Sequence, residues 1–239
     1  MPLLTLHQHP PRGTGPLSPE MVVDAIAPVL SGARRQRIER VLQRRLLSVT
    51  VVLENLHDPH NGAAAIRTCE ALGLHHIHVV EGLERFSFSR KVSVHAHKWL
   101  AIYRHPTIEA ALGFLQHAGF CCFAAVPPLL TGPVVDEPVE VERPVALVFG
   151  NEHRGLTRAA HALCQRRFSI PLHGFSESLN LSVSVAMTVG DVTRRRRRAL
   201  GRAGDLPHAA MAQLRAAYYA QSTPHAVELV LRQLESRRY

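Results

Sequence analysis

Apolar residues along the chain follow two rhythms. VTVVLEN (49–55), HIHVVEG (76–82), FCCFAAV (120–126) and VALVFGNE (145–152) are short, β-branched or nearly continuous apolar runs, the pattern of buried strands. RRFSIP (166–171) predicts a further strand, and residues 99–104 another. Between these runs the spacing lengthens to the helical period. AAAIRTCEALG predicts a helix ending at Gly73, and LTRAAHALC a short one. PTIEAALGFLQHAG has proline at its start and glycine at its end, as helices often do. A long helix is predicted from Leu179 to Leu200. Residues 19–47 read as helical, with a stripe through Val22, Val23, Ile26, Val29 and Leu30 and a break at Gly32. A basic segment around Ile38, Val41 and Leu42 follows, and Pro207 to Tyr239 predicts two last helices.

Strands alternating with helices predict an α/β fold: a mostly parallel sheet with helices on both faces, extended by helices at both ends. The predicted division is 1–48 (tail and basic helical extension), 49–190 (sheet domain) and 191–239 (basic C-terminal extension). Such sheets bind ligands at the carboxyl ends of their strands. Three junctions therefore matter: LENLHDPHNGAAAIRT, LVFGNEHRGLT and FSIPLHGFSESLNLSVSVA. None is a GxGxxG or Walker loop, so a standard dinucleotide or nucleoside triphosphate site is disfavoured.

With 239 residues and 46% hydrophobic content, the chain can bury one substantial core. It has no run of about 18 uncharged apolar residues, so no membrane span is expected. The start, MPLLTLHQHPPRGTG, lacks the order of a signal peptide and reads as a disordered tail. Four cysteines without CxxC spacing read as free thiols in a reducing compartment, the cytoplasm. Sixteen histidines, HHIH at 75–78 among them, offer no complete metal-ligand set and read as surface or packing residues.

Charge changes the picture more. Arg34, Arg35, Arg37, Arg40, Arg44 and Arg45 face one acid, Glu39, within residues 31–48. Arg194, Arg195, Arg196, Arg197, Arg198 and Arg202 face only Asp191 within 191–202. The rest of the chain is nearly neutral. Two cationic runs beside a neutral body point to a polyanion, most simply a nucleic acid. Arginine suits bidentate phosphate contacts, although a chain with two lysines in all could owe that choice to genome composition.

At the first junction Asn61 opens a helix, and Arg67 follows among Ala65, Ile66 and Cys69. On pattern alone, Arg67 reads equally as a functional cation or as an arginine at an exposed helix edge. Glu152 lies just beyond a buried strand, between Gly150 and Gly155, which permit a tight path. Ser178 and Asn180 are both cap-forming types, and one cap accounts for only one of them.

In this order the three junctions resemble the three motifs of the SpoU (TrmH) family of RNA 2′-O-ribose methyltransferases, in the SPOUT superfamily. NLHDPHNGAAAIRTCEALGL is similar to the first motif, LVFGNEHRGL to the second and FSIPLHGFSESLNLSVSVAMTV to the third. The likeness runs from about Arg34 to Leu200, and HKWLAIYRHP brings it nearest to enzymes that methylate a D-loop guanosine, position 18 of tRNA. It implies a C-terminal trefoil knot, a homodimer, S-adenosylmethionine as cofactor and tRNA as partner, with ribosomal RNA the alternative. It further implies catalytic roles for Arg67, Asn61, Glu152, Ser178 and Asn180. The cofactor pocket it implies comprises Ala125, Val126, Pro127, Gly150, Ile170, Leu172 and Leu181. The RNA-binding arginines would be Arg34, Arg35, Arg37, Arg44, Arg45 and the run Arg194–Arg198. Arg154, Gly62–Ala64 and a stretch 82–95 poor in glycine and serine depart from the family pattern. A non-catalytic RNA-binding protein on this scaffold is the competing class, disfavoured because every site residue is present.

Overall fold

The computed structural model describes residues 18–82, 96–128 and 138–236. The predicted tail and most of the 82–95 stretch lie outside these. In chain order the elements are α1 (Pro19–Ile26), α2 (Gly32–Leu42), β1 (Val49–Glu54), α3 (Pro59–Ala71), β2 (His76–Val80), β3 (Ala101–His105), α4 (Ile108–His117), β4 (Cys121–Ala125), β5 (Val145–Phe149), α5 (Arg158–Leu163), β6 (Arg166–Phe168), α6 (Leu181–Leu200), α7 (His208–Ala220) and α8 (Ala226–Ser236). They divide into two compact units: Leu46–Ala203, and the two terminal segments that flank it in sequence.

The larger unit is built on one sheet ordered β3-β2-β1-β5-β4-β6 with every neighbour parallel. Alternate residues of a strand face opposite sides. Val49, Val51 and Leu53 of β1 pack with Ala65, Ile66 and Cys69 of α3 and Val185, Val189 and Val192 of α6. Val52, Ala146 and Val148 pack on the other face with Ile108, Leu112 and Leu115 of α4 and Ala160 of α5. Helices thus cover both faces, and β1 and β5 are wholly buried. Strand order reverses between these two strands. That switch point lies at the place where α/β sheets bind ligands, outside the carboxyl ends of the strands.

Two expectations change. The long helix begins at Leu181, because Asn180 is its cap, its side chain accepting from Ser182 N. The boundary drawn at 190/191 falls inside that helix. It runs unbroken to Leu200 and keeps Val192, Thr193 and Arg196 buried, so its basic end belongs to the larger unit.

In the terminal unit α1 packs on α7 and α8, and α2 on α7. Ile26, Ile38, Leu42, Leu214 and Tyr218 are buried. Glu39, the lone acid of the first basic run, is held by Arg215 through two bonds of 2.6 and 2.8 Å.

Two histidines of the HHIH run are packing residues. His76 and His78 are fully buried on β2 against Tyr103, His105, Phe114 and Phe120. His78 Nδ1 and His105 Nε2 share a hydrogen bond of 2.9 Å, and both His76 nitrogens are without a partner. Burial holds His76 well below its usual value near 6.5, with His78 and His75 adding to the effect. Burial, then His105, takes His78 down to about 3. The unfolded chain therefore takes up these protons near pH 6.5 and the folded chain only at much lower pH. Stability is full above that pH and falls as pH drops toward 3, by up to about 1.4 kcal/mol per pH unit for each histidine. His76→Phe is expected to flatten the slope of unfolding free energy between about pH 6.5 and 4 in urea titrations. An unchanged slope would remove His76 as its source.

Candidate active site

Four helices start at the carboxyl end of the sheet, each capped by a side chain; Thr107 caps α4, and the other three stand at the junctions singled out in the sequence. Asp58 caps α3, Thr157 caps α5 and Asn180 caps α6. The capping brings the three junctions together, because the chain must turn sharply there. At the end of β1, the buried Glu54 carboxylate accepts from Thr157 N (3.0 Å) and Thr157 Oγ1 (2.7 Å). Beyond β5, Asn151 and Gly155 exchange backbone bonds of 3.0 and 2.8 Å, closing a tight loop. A Cβ at Gly150 would lie 2.3 Å from the Gly155 carbonyl carbon, and Gly155 has φ +66°, so both glycines are required.

That loop presents Glu152 to the first junction. Glu152 Oε2 accepts from His57 N at 3.1 Å, and Oε1 accepts from Asn61 Nδ2 at 3.0 Å. Asn61 Oδ1 accepts from Asn180 Nδ2 at 3.0 Å. Asn180 Oδ1 accepts from Ser182 N and Oγ at 2.8 and 2.6 Å. The direction of this relay follows from its end: a carboxylate only accepts, so Asn61 turns its amino group to Glu152 and its oxygen to Asn180. Each amide keeps one N–H beyond these bonds. Asn61 and Glu152 are half-buried and Asn180 is exposed, so those donors lie near the surface at the carboxyl end of the sheet.

Asn61, Glu152 and Asn180 are therefore joined by hydrogen bonds. Arg67 is exposed on α3 and bonds to none of the described side chains. Ser178 is exposed and has no hydrogen-bond partner among the described residues. Of the expected pocket, Ala125 packs against the core that contains Leu181. Val126 N donates to Phe168 O at 2.9 Å, tying the end of β4 to β6. Gly150, Ile170 and Leu172 are half-buried and Pro127 is exposed.

The arginines separate into two groups. Arg35, Arg37, Arg44, Arg194 and Arg198 are exposed. Arg45 and Arg196 are buried, 1% and 7% exposed, and the expectation that they touch RNA is corrected. Arg45 Nε donates to Tyr218 Oη at 3.1 Å. Arg196 donates to Ser48 Oγ (2.9 Å) and Val141 O (2.6 Å). Half-buried neighbours also hold their own unit: Arg195 donates to Val139 O, Arg197 to Ala203 O and Leu72 O, and Arg34 to Ser222 Oγ. Arg194 and Arg195 both engage Asp191.

Sequence reasoning passed over Glu54, Asn55, Asn151 and Thr157. The available signal was position: Glu54, Asn55 and Asn151 end a buried strand or closely follow one, at the end where such sheets bind ligands, and Thr157 caps the helix that follows β5.

A parallel α/β sheet with capped helix starts gathered at its switch point, and without a phosphate-binding glycine loop, places this chain among α/β proteins that bind ligands at strand ends. A profile of the SpoU rRNA methylase family matches residues 48–190, and the chain belongs to that family. The tRNA (guanosine(18)-2′-O)-methyltransferase of Thermus thermophilus is 38% identical over 168 residues, covering 70% of this chain and 85% of that protein. The crystal structure of the A. aeolicus TrmH/SpoU tRNA modifying enzyme shares the fold at a TM-score of 0.68 and 23% identity, over 80% of this chain and 97% of that one. An AdoMet-bound rRNA methyltransferase from Sinorhizobium meliloti matches at 0.54 and 27%, over 62% and 56%.

Proposed function

We propose that the protein is an S-adenosylmethionine-dependent tRNA 2′-O-methyltransferase whose target is the D-loop guanosine at position 18. The observation that carries this reading is the hydrogen-bonded join of Glu152, Asn61 and Asn180, one residue from each motif, at the switch point. The name of the Thermus thermophilus relative supports the target, and its coverage supports the whole activity.

The residues fit the cofactor. Ala125, Val126 and Gly150 lie at strand ends, and Ile170, Leu172 and Leu181 are apolar residues without charge. Such a set suits a heterocycle recognised by its edges. When bound, S-adenosylmethionine supplies an electrophilic methyl carbon. The chain's own task is to hold a ribose 2′-hydroxyl in line and pass its proton to a nearby acceptor. Arg67 has five donors and no acceptor, so its role is to clamp the phosphate beside that ribose; the phosphate oxygen then takes the proton. The spare N–H groups of Asn61 and Asn180 orient the sugar, and the amino end of α6 adds partial positive charge there. Exposed Ser178 completes the donor set near the surface.

The exposed arginines Arg35, Arg37, Arg44, Arg194 and Arg198 would bind phosphates without reading sequence. A knot is part of the reading. Its support is that Arg195 and Arg196, late in α6, bond to Val139 and Val141 in the β4–β5 connection. A homodimer is also part of it, supported by Val183 and Met187, exposed one turn apart on α6. No helix among the described residues is long and apolar enough to cross a membrane; a cytoplasmic site of action accompanies tRNA.

The deciding experiment is methyl transfer from labelled S-adenosylmethionine to unmodified tRNA transcript, mapped by resistance to alkaline cleavage. One 2′-O-methylguanosine at position 18 is expected. Transfer to ribosomal RNA alone would keep the chemistry and replace the substrate, and no transfer to any RNA would leave an RNA-binding protein.

A further inference from the structure

We propose that Asn151 and Asn55 are positioning residues for methyl transfer: together they lock the loop carrying Glu152 onto the end of β1, which leads into the start of α3 where Asn61 sits. The inference rests on the methyltransferase reading above. Asn151 uses both ends of its amide. Its Nδ2 donates to Asn55 O at 2.6 Å, and its Oδ1 accepts from His153 N at 2.9 Å and Arg154 N at 3.1 Å. One side chain therefore shapes the turn around Glu152 and ties that turn to β1.

Asn55 receives this tie in an unusual conformation. It is the one non-glycine residue among those described with positive φ, at +50°. Asparagine tolerates that region better than most residues but still strains there. The twist leaves Asn55 as a junction: its N–H donates to Val80 O (3.1 Å), its Oδ1 accepts from Gly82 N (3.0 Å), and its carbonyl meets Asn151. Strain of this kind persists where surrounding bonds over-determine it, and such places cluster at functional sites. Here the bonds fix the separation between Glu152 and Asn61, and through Asn61 the orientation of Asn180. Neither residue is argued to touch substrate. Each acts through Glu152.

The test uses the full chain with Asn151→Asp and Asn55→Gly. Asn151→Asp keeps an acceptor for the His153 and Arg154 amides but sets a carboxylate against the Asn55 carbonyl. Asn55→Gly relaxes the backbone at positive φ and removes the bond to Gly82. The kcat per cofactor-binding site is expected to fall about 100-fold in the first and about 10-fold in the second, the size of effect a small misplacement of reacting groups produces. KM for tRNA and the cofactor Kd are expected to change little. A purely structural role predicts the opposite split: a lower melting temperature with wild-type kcat per binding site, and that result would overturn the proposal. A second readout needs no activity. In asparagine-labelled protein, the Asn61 side-chain amide protons are expected to exchange with water about 10-fold faster in both variants, as local opening predicts. Unchanged exchange would overturn the proposal. Failure of the wild-type chain to methylate any RNA would instead sink the methyltransferase reading, and the exchange measurement would still decide whether Asn151 holds Asn61.

Discussion

Arg67→Ala is expected to lower kcat for tRNA methylation about 1,000-fold, near the upper end for removing one preorganised charged or donor group. The cofactor Kd should stay within about threefold, because the loss belongs to the reacting end and not to uniform binding. The buried face of α3 is Gly62, Ala63, Ala65, Ile66 and Cys69. Arg67 is off that face and exposed, so its truncation opens no cavity. It gives up no bond to a described side chain, so folding should be nearly unaffected. Arg67→Lys should recover part of the rate, since a point charge holds a phosphate without the bidentate fork. Isothermal titration with S-adenosylmethionine and single-turnover methyl transfer separate the outcomes. Equal loss of cofactor binding and rate would move Arg67 into the cofactor pocket. A raised KM with normal kcat would make it one more phosphate anchor.

The strands and helices of the sheet were legible because their apolar runs have the periods of buried β and of α structure. The three junctions were legible for a further reason: the carboxyl ends of parallel strands are where this architecture leaves backbone and caps open to ligands. Asn61, Glu152 and Asn180 stood out by falling there, and the family likeness ordered them. Side-chain direction was not legible. RRRRR at 194–198 reads as one cationic block, yet a helix turns about 100° per residue, so five consecutive arginines sweep more than a full circle. Some must face inward, and Arg196 does, with Val189 and Val192 on the same buried side. The positive φ of Asn55 was hidden as well, because nothing in ENLHD distinguishes a twisted asparagine from a capping one. The boundary placed at 190 failed for a similar reason. Charge changes there, but the helix and its burial do not.

Arg196→Ala is the sharpest test of that division between inward and outward arginines. The substitution removes two charge-assisted hydrogen bonds, from the Arg196 guanidinium to Ser48 Oγ and to Val141 O. A hydrogen bond to a charged group is worth about 1.5–3 kcal/mol, so a destabilisation of about 3 kcal/mol is expected. In a unit of this size that lowers Tm by roughly 10 °C. The salt dependence of tRNA binding should not change, because a buried guanidinium releases no counterion from RNA. Arg35→Gln, Arg37→Gln and Arg44→Gln combined should do the reverse. These three side chains are exposed, so Tm should hold within a few degrees. The slope of log affinity against log salt should then flatten by about 2 to 3, close to one for each phosphate no longer neutralised. Thermal melts and filter binding across a salt series measure both quantities on the same preparations. If Arg196→Ala flattens the slope as the surface triple does, then Arg196 leaves its buried seat to meet RNA, and the helix end opens on binding. If the triple leaves the slope unchanged, α2 presents a solvated face and the phosphates are bound elsewhere on the chain.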